Sequence, residues 1–386
     1  MILPGVDIET TALSPEDGEL SLLQVADPER HRVDVYDALG GGELPVPGRG
    51  IAHNAVFEER WLRAAGYNVE YDDTMIASLV FYTGTNAARG KLSHSLASCV
   101  SRELKEDMAK DEQVSDWSRR PLTREQLEYA ARDAAVLPDL YDRLMTRIDK
   151  AGLRAVYELE LRVARAVDAM QRNGFAVNVA RLDPLVQEVT EQAETLKAEL
   201  EQDWGINPGS SKQLREMFRL DEIEGWPRTP AGAPKTDQDA MWALVDRYPS
   251  VEKWIEWKRV EKLRSTYGKS LQKQIRDGRI HARFNPFGAG TGRFSSSGPN
   301  LQNIPKDERY RSLFWAGAED RVLIKADYAS IELWVAAILW DDPHMQHALQ
   351  LGVNMHVATA AALFNVKPGR SLRSKIRGRT TSAFPA

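Results

Sequence analysis

Short β-like runs alternate with helical ones over the first 150 residues. Residues 20–25 and the alternating run Arg32-Val33-Asp34-Val35-Tyr36 read as strands, since successive side chains there divide between an apolar and a polar face. Residues 51–54 read as a strand feeding a helix over 56–65, with Gly66 as its stop. Thr123-Arg124-Glu125-Gln126 is a capping box, which predicts a helix from there through about Asp149. The pattern is that of an α/β domain.

The remainder is mostly helical. Residues 152–173 predict a helix closed by Gly174. Leu182, Leu185, Val186, Val189, Ala193, Leu196 and Leu200 recur on a charged background, which predicts a long amphipathic helix over 182–203. Residues 226–236, rich in Pro, Gly and Thr, read as a loop, and 251–276 as a helix. Residues 321–327 read as a strand ending on Asp327; 332–339 and 355–364 look helical. Residues 367–386 have no apolar periodicity and are locally basic, and no internal repeat is present.

Composition narrows the class. A chain of 386 residues, 42% hydrophobic and 28% charged, fits a globular protein of two or three domains. No apolar run reaches the roughly 18–20 residues that span a bilayer, and Met1-Ile2-Leu3-Pro4-Gly5-Val6-Asp7 turns acidic too soon for a signal peptide. One cysteine, Cys99, excludes an internal disulfide framework and a cysteine-based zinc site. A cytoplasmic location without a membrane partner is therefore expected. The net charge of −5 does not point to nucleic acid, so any basic surface must be local; residues 252–283 supply ten basic against four acidic side chains. A solvated helix face is the plainer reading of that stretch.

Four acids carry the first candidate chemistry. Asp7-Ile8-Glu9 puts two carboxylates at i and i+2, on one face of a strand. Glu58 stands in His53-Asn54-Ala55-Val56-Phe57-Glu58 and Asp133 in Tyr129-Ala130-Ala131-Arg132-Asp133, where Tyr129 and Asp133 share a helix face. Four such acids brought together repel unless cations sit among them. Two divalent ions about 3.5–4 Å apart are the usual arrangement for phosphodiester hydrolysis, and oxygen-only ligands favour Mg2+ or Mn2+ over zinc.

In their order and context these pieces resemble the three exonuclease motifs of the Asp-Glu-Asp-Asp family, tyrosine subtype, which includes the proofreading domain of family A polymerases and RNase D. The resemblance covers about residues 4–148 and extends to Asp73-Thr74-Met75 and Lys91-Leu92-Ser93-His94-Ser95-Leu96-Ala97. It implies that Asp7, Glu9, Glu58 and Asp133 ligate metal and that Tyr129 orients the attacking water. It also implies that Asn54 contacts the nucleic acid and that Leu13 wedges at the terminal base; a plain core leucine is the alternative for Leu13. Glu58 departs from the family, which has Asp there, so its carboxylate must be set back by one methylene or act through water.

Two further blocks carry a second resemblance. Thr291-Gly292-Arg293-Phe294-Ser295-Ser296-Ser297-Gly298-Pro299-Asn300-Leu301-Gln302-Asn303-Ile304-Pro305 and Asp327-Tyr328-Ala329-Ser330-Ile331-Glu332-Leu333 are similar to the template-primer-binding block and the first catalytic block of family A DNA polymerases. The similarity runs from Glu160 onward and includes Ser210-Ser211-Lys212-Gln213-Leu214. It implies an RNase H-like α/β exonuclease domain (1–150), the start of a palm (151–184) and a helical thumb (185–276). A partial α+β palm (277–340), the root of the fingers (341–368) and an aberrant or disordered tail (369–386) complete the right-hand polymerase pattern. Arg293, Asn300, Gln302 and Asn303 are types that hydrogen-bond bases and sugars, and the resemblance has them hold template-primer DNA. It makes Asp327 one of two metal-binding aspartates and Glu332 the residue that abuts the nucleotide sugar. Ser330 and Trp334 replace the usual Gln and Arg, and Asn354-Met355-His356 the usual Asp-x-His.

The fingers helix with its Asn-Phe-Gly stretch, the final His-Asp-Glu block with the second aspartate, and a 5′ nuclease domain are not readable in this sequence. One carboxylate cannot organise a two-metal transfer. The expectation is a metal-dependent 3′-5′ exonuclease acting on single-stranded DNA 3′ ends, with template-primer-binding elements and an incomplete polymerase site. A second chain supplying palm and fingers is a further expected partner. The cause at the C-terminal end stays open between truncation, gene splitting and a frameshift near 377–380, since codons for Thr380-Thr381-Ser382-Ala383 can be re-read as Asn-Phe-Gly. A non-catalytic DNA-binding fragment or relic is the rival reading. An RNase D-like exonuclease is another, against which blocks 291–305 and 327–333 argue.

Overall fold

The computed structural model describes residues 2–84, 92–108 and 115–363. Lys91 and the basic tail of 369–386 lie outside them. The chain divides into two compact units, Met1–Arg321 and Val322–Ala386.

The first unit opens with a five-stranded sheet in the order β3-β2-β1-β4-β5. Its strands are β1 (Gly5–Thr10), β2 (Leu20–Asp27), β3 (Arg32–Asp37), β4 (Arg49–Ala52) and β5 (Glu70–Asp73). β1 pairs antiparallel with β2 and parallel with β4, so the strand carrying Asp7 and Glu9 is central. Val6, Ile8, Leu23, Ala52, Leu62 and Tyr71 bury one face of this sheet beneath α1 (Ala55–Ala64). Ile76, Val80, Leu140, Leu144 and Ile148 form a neighbouring core between α2 (Thr74–Tyr82), α3 (Leu96–Glu103) and the helices after residue 123. The α/β expectation holds.

The capping box forms: Thr123 N–H donates to Gln126 Oε1 at 3.0 Å and Gln126 N–H to Thr123 Oγ1 at 3.1 Å. The single helix expected after it does not. α4 (Arg124–Ala135) ends at Val136 and α5 (Leu137–Lys150) begins afresh, with Pro138 in its first turn. Proline has no N–H to continue α4 and is best accommodated in the first turn of a helix.

α6 (Arg154–Asn173) leads to β6 (Phe175–Val177), the middle of a second sheet in the order β11-β6-β8-β7. There β7 is Ile275–Arg276, β8 Arg279–Ile280 and β11 Phe314–Trp315, so segments far apart in sequence build one small sheet. Between them α7 (Val179–Trp204) runs antiparallel to α10 (Ser250–Tyr267). Leu182–Ala193 positions pack with Val260 and Tyr267 at one end, and Leu200 with Val251 and Trp254 at the other. Short helices α8 (Ser211–Met217) and α9 (Gln238–Met241) close the far end. The helix expected over 251–276 stops at Tyr267. Gly268 intervenes, and after the short α11 (Lys269–Gln272) residues 275–276 enter the sheet.

β9 (Arg283–Asn285) and β10 (Ser295–Ser297) pair as a hairpin, followed by α12 (Glu308–Arg311). The second unit holds α13 (Ile331–Leu339), α14 (Pro343–Gln350) and α15 (Met355–Leu363). The strand expected over 321–327 does not form, and Val322, Leu323 and Ile324 are exposed, Ile324 at 88%. A strand exists only within a ladder, and among the described residues no strand follows Trp315. Irregular chain stands where that strand was expected.

Candidate active site

The alternation of β1 aims its acids. Val6 and Ile8 are buried on one side, while Gly5, Asp7 and Glu9 take the other. A methyl group built on Gly5 would collide with the carbonyl oxygen of Ala134 and come within 3.1 Å of Leu137 Cβ and Pro138 Cδ. The α4–α5 junction thus lies directly on the strand, and only glycine admits it there. That contact brings Asp133, the residue before Ala134, toward Asp7.

Burial, and after it the charge of Asp133, pushes the Asp7 carboxyl well above the usual range. Burial, then Asp7, then Asp133, raises Glu9 to about 9. Burial raises Asp133 to about 6, against the pull of its hydrogen bond with Tyr129 and of Arg132. Glu58, only 3% exposed in the first turn of α1, is pushed well up by burial and then by Asp7, and its Oε2 has no hydrogen-bond partner. The four predicted acids therefore share one electrostatic neighbourhood. Tyr129 hydrogen-bonds Asp133, and burial together with that carboxylate drives its phenol upward, so it remains a protonated donor.

Among the described residues, no group of three or more His, Cys, Asp or Glu side chains is gathered closely enough to hold a metal ion as the chain lies here. The donor chemistry nevertheless fits a hard divalent cation. The predicted donors are all carboxylate oxygen, they repel one another, and one buried oxygen is unsatisfied.

Leu13 is 83% exposed, which excludes the core reading, and Asn54 is exposed at the start of α1. His53 is locked between Thr74 Oγ1 (2.8 Å) and the His94 carbonyl (2.9 Å), and burial lowers it to about 4, so it stays neutral. Three residues near the acids escaped the sequence reading. Gln24, opposite Asp7 in the ladder, is fully buried with neither amide atom hydrogen-bonded. Its signal was a long amide side chain inside a largely apolar strand. Trp117 is buried with Leu22 and Ala130 and lies 6.4 Å from the Tyr129 ring. Asp73, noted only as part of a motif, is a buried carboxylate raised to about 6 by burial.

In the second block, Arg293, Asn300, Gln302 and Asn303 are all exposed. Part of their capacity shapes the loop itself. Asn300 Oδ1 accepts from Gln302 N–H at 3.0 Å, Gln302 Nε2 donates to the Phe294 carbonyl at 2.8 Å, and the Asn303 carbonyl accepts from the Tyr267 hydroxyl at the end of α10. The basic stretch is also partly spent: Lys253 pairs with Glu199 at 3.0 Å and Arg264 with Glu261 at 2.8 Å. Arg259, Lys262, Lys269, Lys273, Arg276 and Arg283 remain exposed. Asp327 and Glu332 belong to the second unit, and both are exposed.

Residues 49–149 match the family model for 3′-5′ exonuclease, and residues 179–381 that for DNA polymerase family A. The chain belongs to DNA polymerase family A. Glu58, Tyr129 and Asp133 fall inside the exonuclease match of this family A chain, while Asp7 and Glu9 precede it. Similar proteins include DNA polymerase I of Aquifex aeolicus (strain VF5), 30% identical over 94% of this chain and 64% of that protein. DNA polymerase I of Rhizobium leguminosarum is 29% identical over 98% of this chain and 42% of its own length. The family A chain thus spans about two fifths to under two thirds of these relatives. The solved POL domain of Pol1 from M. smegmatis, in complex with DNA primer-template and dNTP, has the same fold. It matches with a TM-score of 0.78 and 24% identity over 98% of this chain and 67% of that one. No helix among the described residues is long and apolar enough to cross a membrane.

Proposed function

We propose that this family A chain removes nucleotides from DNA 3′ ends by metal-dependent hydrolysis at Asp7, Glu9, Glu58, Tyr129 and Asp133. The observation that carries the reading is the electrostatic coupling of Asp7, Glu9 and Asp133, set on a central strand and the helix packed on it through Gly5. Functional sites are where such mutual perturbation concentrates.

Asp7, Glu9, Glu58 and Asp133 are the residues that would hold two Mg2+ or Mn2+ ions, which when bound supply charge neutralisation at the phosphate and an activated water. Tyr129 keeps its proton and donates to Asp133, so it orients the water and does not act as the base. Leu13, exposed beyond the end of β1, would press on a terminal base. The exposed cations of 259–283 and the amides of 300–303 would bind DNA through phosphates and sugars.

For the polymerase half we propose no templated incorporation by this chain alone. Asp327 is its one matched metal-binding aspartate, and the resemblance gives no residue here for the second. Primer extension with four deoxynucleotides in an Asp7→Ala background tests this: extension that disappears on adding Asp327→Ala would contradict it. The ungathered acids favour a second reading, a DNA-binding chain without catalysis. Incubating end-labelled single-stranded DNA with Mg2+, Mn2+ or chelator separates the two, since only the first reading gives cation-dependent shortening.

A further inference from the structure

The helix that presents Glu58 is capped from elsewhere. Asn54, at the N-cap of α1, is in the left-handed region (φ 73°, ψ 48°) and its side chain makes no capping bond. The Asp73 carboxylate at the end of β5 takes that role, accepting from Asn54 N–H at 3.1 Å and Ala55 N–H at 2.8 Å. It also caps α2, accepting from Met75 N–H at 2.7 Å and Ile76 N–H at 3.1 Å. One buried carboxylate thus closes two helix N-termini, where free N–H groups and the helix dipole both favour negative charge.

Asp73 is itself held by α6. Its N–H donates to the Tyr157 hydroxyl at 2.9 Å, and that hydroxyl donates on to Asp72 at 3.3 Å. Tyr157 is 1% exposed. Two turns further along α6, Arg165 grips Glu59, the neighbour of Glu58, through Nη2 at 2.8 Å and Nε at 3.1 Å, and also donates to the Tyr71 carbonyl at 2.8 Å. Tyr157 and Arg165 lie beyond the exonuclease match, which ends at 149.

We propose that Asp73, Tyr157 and Arg165 are positioning residues for Glu58, and that α6 is a working part of the exonuclease site. The inference rests on the hydrolytic reading above. A carboxylate delivered by the first turn of a helix goes where that helix end goes. Groups that orient ligands in this way commonly matter almost as much as the ligands themselves. The clamp acts at both sides of Glu58, through residues 54–55 and through Glu59.

The test uses the full chain with Asp73→Asn, Tyr157→Phe, Arg165→Met and Arg165→Lys. Amide exchange over residues 54–62, the Mn2+ concentration for half-maximal cleavage, kcat, KM for single-stranded DNA and melting temperature are compared. Arg165→Met and Tyr157→Phe should speed exchange at 54–59, raise the Mn2+ requirement and lower kcat by about tenfold or more, with KM little changed. Arg165→Lys should restore part of each. Should Asp73→Asn fail to fold, the α6 variants carry the test, since they leave that carboxylate in place. Wild-type kcat and Mn2+ requirement in folded Tyr157→Phe and Arg165→Met, with only the melting temperature reduced, would overturn the inference. If the wild-type chain shows no Asp7-dependent cleavage, the hydrolytic reading fails instead. Exchange at 54–59 then decides the clamp by itself, and unchanged exchange in every folded variant overturns it.

Discussion

The Tyr129 hydroxyl hydrogen-bonds the carboxylate of Asp133, one turn further along α4. The bond favours the charged form of Asp133 and works against burial, which lifts that acid to about 6. Tyr129→Phe deletes it and leaves the ring against Trp117. Asp133 then titrates higher, so the acid limb of a cleavage–pH profile should move to higher pH. The maximal rate should fall by about 10²-fold or more, with KM for DNA nearly unchanged. A profile superimposable on wild type would show that Tyr129 takes no part.

The raised carboxyls link the site to pH. Each has a folded-state value above its ordinary one, so its contribution to stability is fully present below that ordinary value and is lost as pH rises through the folded one. For Asp133 the window runs from the usual aspartate range to about 6, and for Glu9 from the usual glutamate range to about 9. In chelator, the melting temperature should fall between pH 5 and pH 9, and Glu9→Gln should flatten the upper part of that fall. At pH 8 Mn2+ binding should displace a proton, which calorimetry in buffers of different ionisation enthalpy detects. Buffer-independent heats would contradict the coupling.

Gly5→Ala should disturb the site without touching an acid. Its new methyl meets the Ala134 carbonyl, so α4 must retreat from β1 and take Asp133 with it. Overpacking of this kind costs about 1–3 kcal/mol. Denaturant unfolding should report that loss, and cleavage should drop alongside it. Wild-type values of both would mean that the junction has room to spare.

Glu58 is buried with one carboxylate oxygen unsatisfied. Glu58→Asp should keep or raise the cleavage rate, and Glu58→Ala should lower it by about 10²-fold or more. Equal rates in wild type and Glu58→Ala would make it a bystander. Removing a repelling buried acid should also make Glu58→Ala no less stable in chelator.

The acids themselves were legible. Asp7 and Glu9 at i and i+2 announce one strand face, and Tyr129 with Asp133 announce one helix face, whatever their neighbours. The Thr123 capping box was equally plain, since its bonds are local. What misled was punctuation and partnership. Val136-Leu137-Pro138 splits a continuous helical pattern, and Gly268 ends another, because one backbone position outweighs the apolar period around it. Val322, Leu323 and Ile324 carry strand propensity, but a strand requires a neighbour that propensity cannot supply. Asp73 was invisible as a brace because its partners Asn54, Ala55 and Tyr157 lie 18 to 84 residues away.

The most direct test of the whole account is a time course on single-stranded DNA carrying a 5′ label, run with Mg2+, with Mn2+ and with chelator, for wild type and Asp7→Ala. The account predicts a ladder that shortens one nucleotide at a time from the 3′ end. It should depend on the cation and be abolished in Asp7→Ala, whose circular dichroism and melting temperature remain those of a folded chain. Shortening that persists in chelator, or a folded Asp7→Ala that cleaves at the wild-type rate, would contradict it.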